Sequence, residues 1–183
     1  VENITLTGGT ALTATGNSAN NKLTGNAASS TLIGGSGDDT YVISDATTVI
    51  NENSSEGTDL IEASITYTAP TNIEQLTLTG SSNLNATGNT ANNKLTGNSG
   101  NNSINGGTGD DTMAGGAGDD IYVVDSTSDV VNENSSEGTD LIQSSVTYTA
   151  PTNVENITLT GGTALTATGN TANNKLTGNA ASS

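Results

Sequence analysis

The chain has 183 residues, a formal net charge of −16 and three basic side chains, Lys22, Lys94 and Lys175, so an electrostatic footprint for nucleic acid is absent. Leu, Ile, Val and Phe make up 33 of the 183 residues, which together with the high net charge ordinarily marks disorder. With no Cys and no His, disulfides, thiolate centres and imidazole-based zinc or copper sites are excluded, leaving hard cations that prefer oxygen. The longest apolar run, 121–124, is far too short to span a membrane. No His-, Cys- or Arg-based catalytic constellation can be assembled, so the expectation is a protein that is not an enzyme. The 23 glycines fall on a fixed period and the carboxylates cluster, which points to order conditional on a cation.

Taken in order, the chain opens with VENITLTG (1–8), and the same words return at 73–80 and 154–161, offsets of 72 and 81 residues. Residues 1–30 match 154–183 everywhere except Ser18 against Thr171, which implies a super-repeat of 153 residues made of a 72 and an 81. The reading is one continuous solenoid over 1–183, with repeats 1–72, 73–153 and a partial 154–183, cut from a longer tandem array.

Within each repeat the pieces at 5–7 and 12–15 read as short strands with Thr outward. Nine-residue units follow: GNSANNKLT (16–24), GNAASSTLI (25–33) and GGSGDDTYV (34–42) in the first repeat. The second has four: GNTANNKLT (88–96), GNSGNNSIN (97–105), GGTGDDTMA (106–114) and GGAGDDIYV (115–123). The second repeat thus gains one whole unit, which a solenoid accommodates as an added rung. Every unit opens with Gly; in the second repeat's block each has Asn or Asp at its sixth position and one apolar residue at its eighth, namely Leu95, Ile104, Met113 and Tyr122. Six loop residues, then three strand residues with the eighth pointing into a narrow core, is the physical content of the pattern.

The units at 43–51 and 124–132 keep the phase, with Asp129 in a sixth position where its counterpart is Thr48. A two-residue step, Glu52-Asn53 or Glu133-Asn134, interrupts it before SSEGTDLIE (54–62) and SSEGTDLIQ (135–143) resume it. Residues 64–68 and 145–149 alternate apolar and polar, a strand signal, and Ala69-Pro70 and Ala150-Pro151 mark turns. Nowhere is a helix start followed by a helical period.

GGSGDDTYV (34–42) and GGTGDDTMAGGAGDDIYVVD (106–125), with the tail 129–145, resemble the RTX, haemolysin-type calcium-binding repeat. That resemblance implies an all-β fold, a right-handed parallel β-roll with calcium-binding turns and two nonapeptides per turn. The 72-residue repeat supplies eight strands by count and the 81-residue repeat nine. Seventeen is odd, so equivalent segments should alternate between faces unless one of them makes a three-sided turn.

The resemblance further implies a calcium ion between loops i and i+2, held by sixth-position side chains and loop carbonyls. Six to eight oxygens at 2.3–2.6 Å are what this cation takes. The implied carboxylate pairs are Asp39 with Asp59, Asp111 with Asp129, and Asp120 with Asp140. Weaker amide-assisted pairs are Asn21 with Asp39, Asn93 with Asp111, and Asn102 with Asp120. The glycines that let the loops close are Gly34, Gly35 and Gly37, Gly106, Gly107 and Gly109, and Gly115, Gly116 and Gly118. Ser30 and Ala28 leave loop 25–30 short of a full site. Asp38, Asp110 and Asp119 are expected to point outward and contribute field. Ordinary turn-forming Asp and Asn closed by hydrogen bonds alone are the competing reading, and stacked like charges argue against it. The Thr ladders are too short and interrupted for an ice-binding face.

Members of the family are exported unfolded by bacterial type I secretion and fold outside the cell on calcium, which implies a secreted or cell-surface protein. Near-identical super-repeats favour the structural body of a fibre, sheath, surface layer or adhesin stalk, with self-association as a corollary. The alternative is the C-terminal repeat module of a secreted enzyme or toxin.

Overall fold

Six loop residues and three strand residues per unit leave no room for a helix. The computed structural model, which describes residues 2–180, consists of twenty strands of two to four residues and no helix among them. The first repeat supplies β1 (Asn3–Thr5), β2 (Thr13–Thr15), β3 (Lys22–Thr24), β4 (Thr31–Ile33), β5 (Thr40–Ile43), β6 (Val49–Asn51), β7 (Leu60–Ala63) and β8 (Tyr67–Thr68). The second supplies β9 (Gln75–Leu78), β10 (Asn85–Thr87), β11 (Lys94–Thr96), β12 (Ser103–Asn105), β13 (Thr112–Ala114), β14 (Ile121–Val124), β15 (Val130–Val131), β16 (Leu141–Ser144) and β17 (Tyr148–Thr149). Then come β18 (Asn156–Leu159), β19 (Ala167–Thr168) and β20 (Lys175–Thr177).

Successive strands alternate between two faces, and each pairs in parallel with the strand two positions on, except at β6–β8 and β15–β17, giving a β-solenoid of about ten turns. One face carries the odd strands β1 to β15 in a single sheet, continued by β17 and β19. The other carries β2, β4 and β6, then the even strands β8 to β20. Both interruptions follow the same sequence word, on opposite faces, and a tyrosine hydroxyl crosses each. Tyr67 donates to the Thr48 carbonyl at 3.4 Å and Tyr148 to the Asp129 carbonyl at 2.8 Å.

The core is built on a pair of in-register ladders, one apolar side chain from each strand, and four-residue strands add a second buried one: Ile43, Ala63, Leu78, Val124 and Leu159. On the first face Leu23, Tyr41, Ile61, Leu76, Leu95, Met113 and Val131 stack in turn. On the second, Ala86, Ile104, Tyr122, Ile142 and Ile157 do the same. These side chains are almost wholly buried, and the residues on either side of each face outward, so each three-residue strand except β1 and β20 buries its middle position alone.

The alternating stretches 64–68 and 145–149 form strands only at their last two residues. β7 ends at Ala63 and the chain must cross to the opposite face at once, so 64–66 becomes the turn. The first strand of the chain starts at Asn3, two residues before the expected 5–7.

The odd strand count has its expected consequence. β1 and β18 have the same sequence words, yet β1 lies in the first face's sheet and β18 in the second's. Everything built on the second repeat's extra unit is therefore turned by half a rung relative to its copy in the first.

Candidate metal centres

The loops that enter odd strands line one edge of the solenoid, and those that enter even strands line the other. Asn21, Asp39, Asp59, Asn93, Asp111 and Asp129 stand on the first edge, and Asn102, Asp120 and Asp140 on the second. All nine sixth-position side chains are at most 5% exposed.

The glycines divide the work of closing a loop. Gly35 and Gly37 have φ of 92° and 117°, with equivalents at Gly107, Gly109, Gly116 and Gly118. The first glycine of each triplet matters for space instead. A Cβ on Gly34, Gly106 or Gly115 would lie 1.9–2.0 Å from Oδ2 of Asp39, Asp111 or Asp120. A bare backbone is what lets the carboxylate fold back beneath its own loop.

Two sets of hydrogen bonds run between stacked loops in opposite senses. In the inner set, sixth-position N–H groups donate to a carboxylate of the next loop on that edge. Asn21 donates to Asp39 at 2.6 Å, Asp39 to Asp59 at 2.8 Å, and Asp59 to Glu74 at 2.8 Å. Asn93 donates to Asp111 at 2.7 Å and Asp111 to Asp129 at 2.9 Å. On the second edge Asn102 donates to Asp120 at 2.6 Å, Asp120 to Asp140 at 2.8 Å, and Asp140 to Glu155 at 2.9 Å. In the outer set, fifth-position N–H groups reach back. Asp38 donates to Asn20 at 3.0 Å, and Asp38 itself accepts from the Thr58 N–H at 2.9 Å. Asp119 accepts from Thr139 in the same way, at 2.9 Å. Asp38, Asp110 and Asp119 are exposed as expected, but they bind neighbouring loops as well as shaping the field.

The amide rungs are closed locally. Asn21, Asn93 and Asn102 each accept their own loop's second-position N–H, at 2.7–2.8 Å. Ser30 and Asn26 close loop 25–30 between themselves, with no carboxylate present.

The acidic rungs differ. Asp39, Glu52 and Asp59 bring one carboxylate oxygen each within 4.8 Å of the others on the first edge, and Asp120, Glu133 and Asp140 do so on the second. Glu52 and Glu133, read in the sequence only as a step in the phase, are the unexpected members. Each accepts a hydrogen bond from the tyrosine eleven residues earlier, Tyr41 or Tyr122. Their remaining oxygens, with Oδ2 of Asp39, Asp111 and Asp120, are buried without a hydrogen-bond partner among the described residues. At Asp111–Asp129, by contrast, Asp129 Oδ2 accepts from the N–H groups of Asp125 and Ser126, both at 3.1 Å.

Like charges so placed repel by about 3–4 kcal/mol per pair at an effective dielectric of 20. Three such pairs within one trio total about 10 kcal/mol, as much as a whole domain's stability. Two outcomes relieve this, a proton or a cation. Without a cation, burial reinforced by neighbouring carboxylates pushes Glu52 and Glu133 up to about 8, Asp120 to about 7, and Asp59, Asp111 and Asp140 to about 6. Oxygen-only donors, converging carboxylates and unpartnered buried oxygens fit a hard divalent cation.

The stacked turns define a class, a parallel β-solenoid with carboxylate-lined edges. The family model for the RTX calcium-binding nonapeptide repeat matches residues 15–42 and 87–122 in four copies, so these stretches are similar to that repeat. Neither the curated proteins nor the solved structures gave a match to the chain.

Proposed function

We propose that the chain is a calcium-folded structural repeat of a secreted bacterial fibre, sheath, surface layer or adhesin stalk. Calcium would sit between Asp39 and Asp59, Asp111 and Asp129, and Asp120 and Asp140, with the amide rungs as weaker positions. The observation that carries the calcium reading is the set of buried carboxylate oxygens without partners on both edges. Oxygen donors of this kind, with no nitrogen or sulfur alternative, suit calcium. The structural role is supported by the near-identity of residues 1–30 and 154–183 and by a rod-like stack in which each rung contacts its neighbours.

Small-angle scattering with and without calcium tests this reading. In chelator the chain should scatter as a coil with a radius of gyration near 45 Å. In calcium it should become a rod about 50 Å long, ten rungs at roughly 4.8 Å. Scattering that stays coil-like at saturating calcium would rule out the structural role.

A further inference from the structure

The two-residue step breaks the nonapeptide phase in both repeats, and both times its first residue is Glu, eleven positions after a core tyrosine. A bare spacer would need no acid there. Glu133 is 92% buried, yet its carboxyl accepts from the Tyr122 hydroxyl, leaves its other oxygen buried with no partner, and brings one oxygen within 4.8 Å of a carboxylate oxygen of Asp120 and of Asp140. Gly115 N–H donates to the same tyrosine oxygen at 2.5 Å, fixing the ring's polar end beside the loop. The first repeat gathers the same groups around a less buried Glu52: a Cβ on Gly34 would meet Asp39 Oδ2, the Tyr41 hydroxyl and Glu52 Oε1 at 2.0, 2.3 and 2.6 Å. The rest of the step is held too, because Glu56 accepts from the Asn53 side chain at 2.7 Å and Glu137 from that of Asn134 at 2.9 Å.

Resting on the calcium reading above, we propose that the step is a ligand insert: Glu52 and Glu133 are third carboxylate ligands. The two trios then form a tighter class of calcium site, one on each edge, than the Asp111–Asp129 pair. That pair follows no step, has Met113 where the trios have tyrosine, and spends one Asp129 oxygen on backbone N–H groups. The break in periodicity is thus where each repeat is held most firmly.

Calcium calorimetry on the whole chain tests this, comparing Glu52→Gln/Glu133→Gln with a charge-matched control, Glu2→Gln/Glu62→Gln. The ligand variant should lose at least tenfold in affinity at two sites, since even outer-shell partners cost a metal site 10–100-fold. The control should titrate as wild type does. Equal affinities in the two variants would overturn the ligand assignment alone. A wild-type chain that binds no calcium would overturn the calcium reading and this one with it. Should the double variant fail to fold, Glu133→Gln alone serves, read by terbium emission sensitised through Tyr41 and Tyr122. About half the wild-type signal should then remain at low terbium, and an undiminished signal would contradict the proposal.

Discussion

At the scale of single residues, the trios connect folding to pH. Glu52, Glu133 and Asp120 sit at about 8, 8 and 7, against ordinary values of 4.5, 4.5 and 3.8. The metal-free folded chain therefore holds more protons than the unfolded chain between about pH 4 and 8. Its stability falls as pH rises through that window and is fully present below it. In chelator, far-UV circular dichroism should show a coil at neutral pH that gains β structure as the pH falls toward about 4.5 and the trios take up protons. Saturating calcium should flatten or invert that dependence, because the cation displaces the same protons. A metal-free chain more stable at pH 8 than at pH 5 would contradict the geometry of the trios.

At the scale of elements, much was legible because the period is strict. Position eight falls on the core ladder at Leu95, Ile104, Met113 and Tyr122, and position six on the buried edge at all nine residues named from it. Glu52 and Glu133 escaped because a sequence period describes what repeats, and they lie where it stops. The one available signal was that both steps begin with Glu and follow a block whose eighth residue is Tyr. Glu74 and Glu155 were hidden in the same way, inside a turn that carries no nonapeptide, though they end the inner hydrogen-bond chains. Burial also depends on neighbours that one unit cannot show. Leu23 and Leu176 sit in the same KLTGN word, yet one is 0% exposed and the other 45%, where no further rung follows among the described residues.

The unit is also the quantum of rotation. One nonapeptide is half a turn, so deleting 97–105 should return the second trio to the edge that holds the first and β18 to the sheet that holds β1. A structure of the deletion variant with the two trios still on opposite edges would refute that account of the phase.

At the scale of the whole molecule, the 72 and 81 lengths distribute charge. With seventeen strands per super-repeat, one trio faces each edge, so the most acidic loops are not stacked along a single side. The apolar core is only one or two side chains wide per strand, too thin to offset a net charge of −16 unaided. Order in this chain is thus tied to what neutralises its edges. The most direct measurement of that claim is far-UV circular dichroism of chelator-treated protein at neutral pH, titrated with calcium and, separately, with magnesium. The account predicts a cooperative coil-to-β transition with calcium and little response to magnesium, which demands a stricter octahedral geometry and dehydrates reluctantly. A chain already β-rich in chelator and unmoved by calcium would contradict it, leaving a solenoid held by its Asn and Thr hydrogen bonds alone.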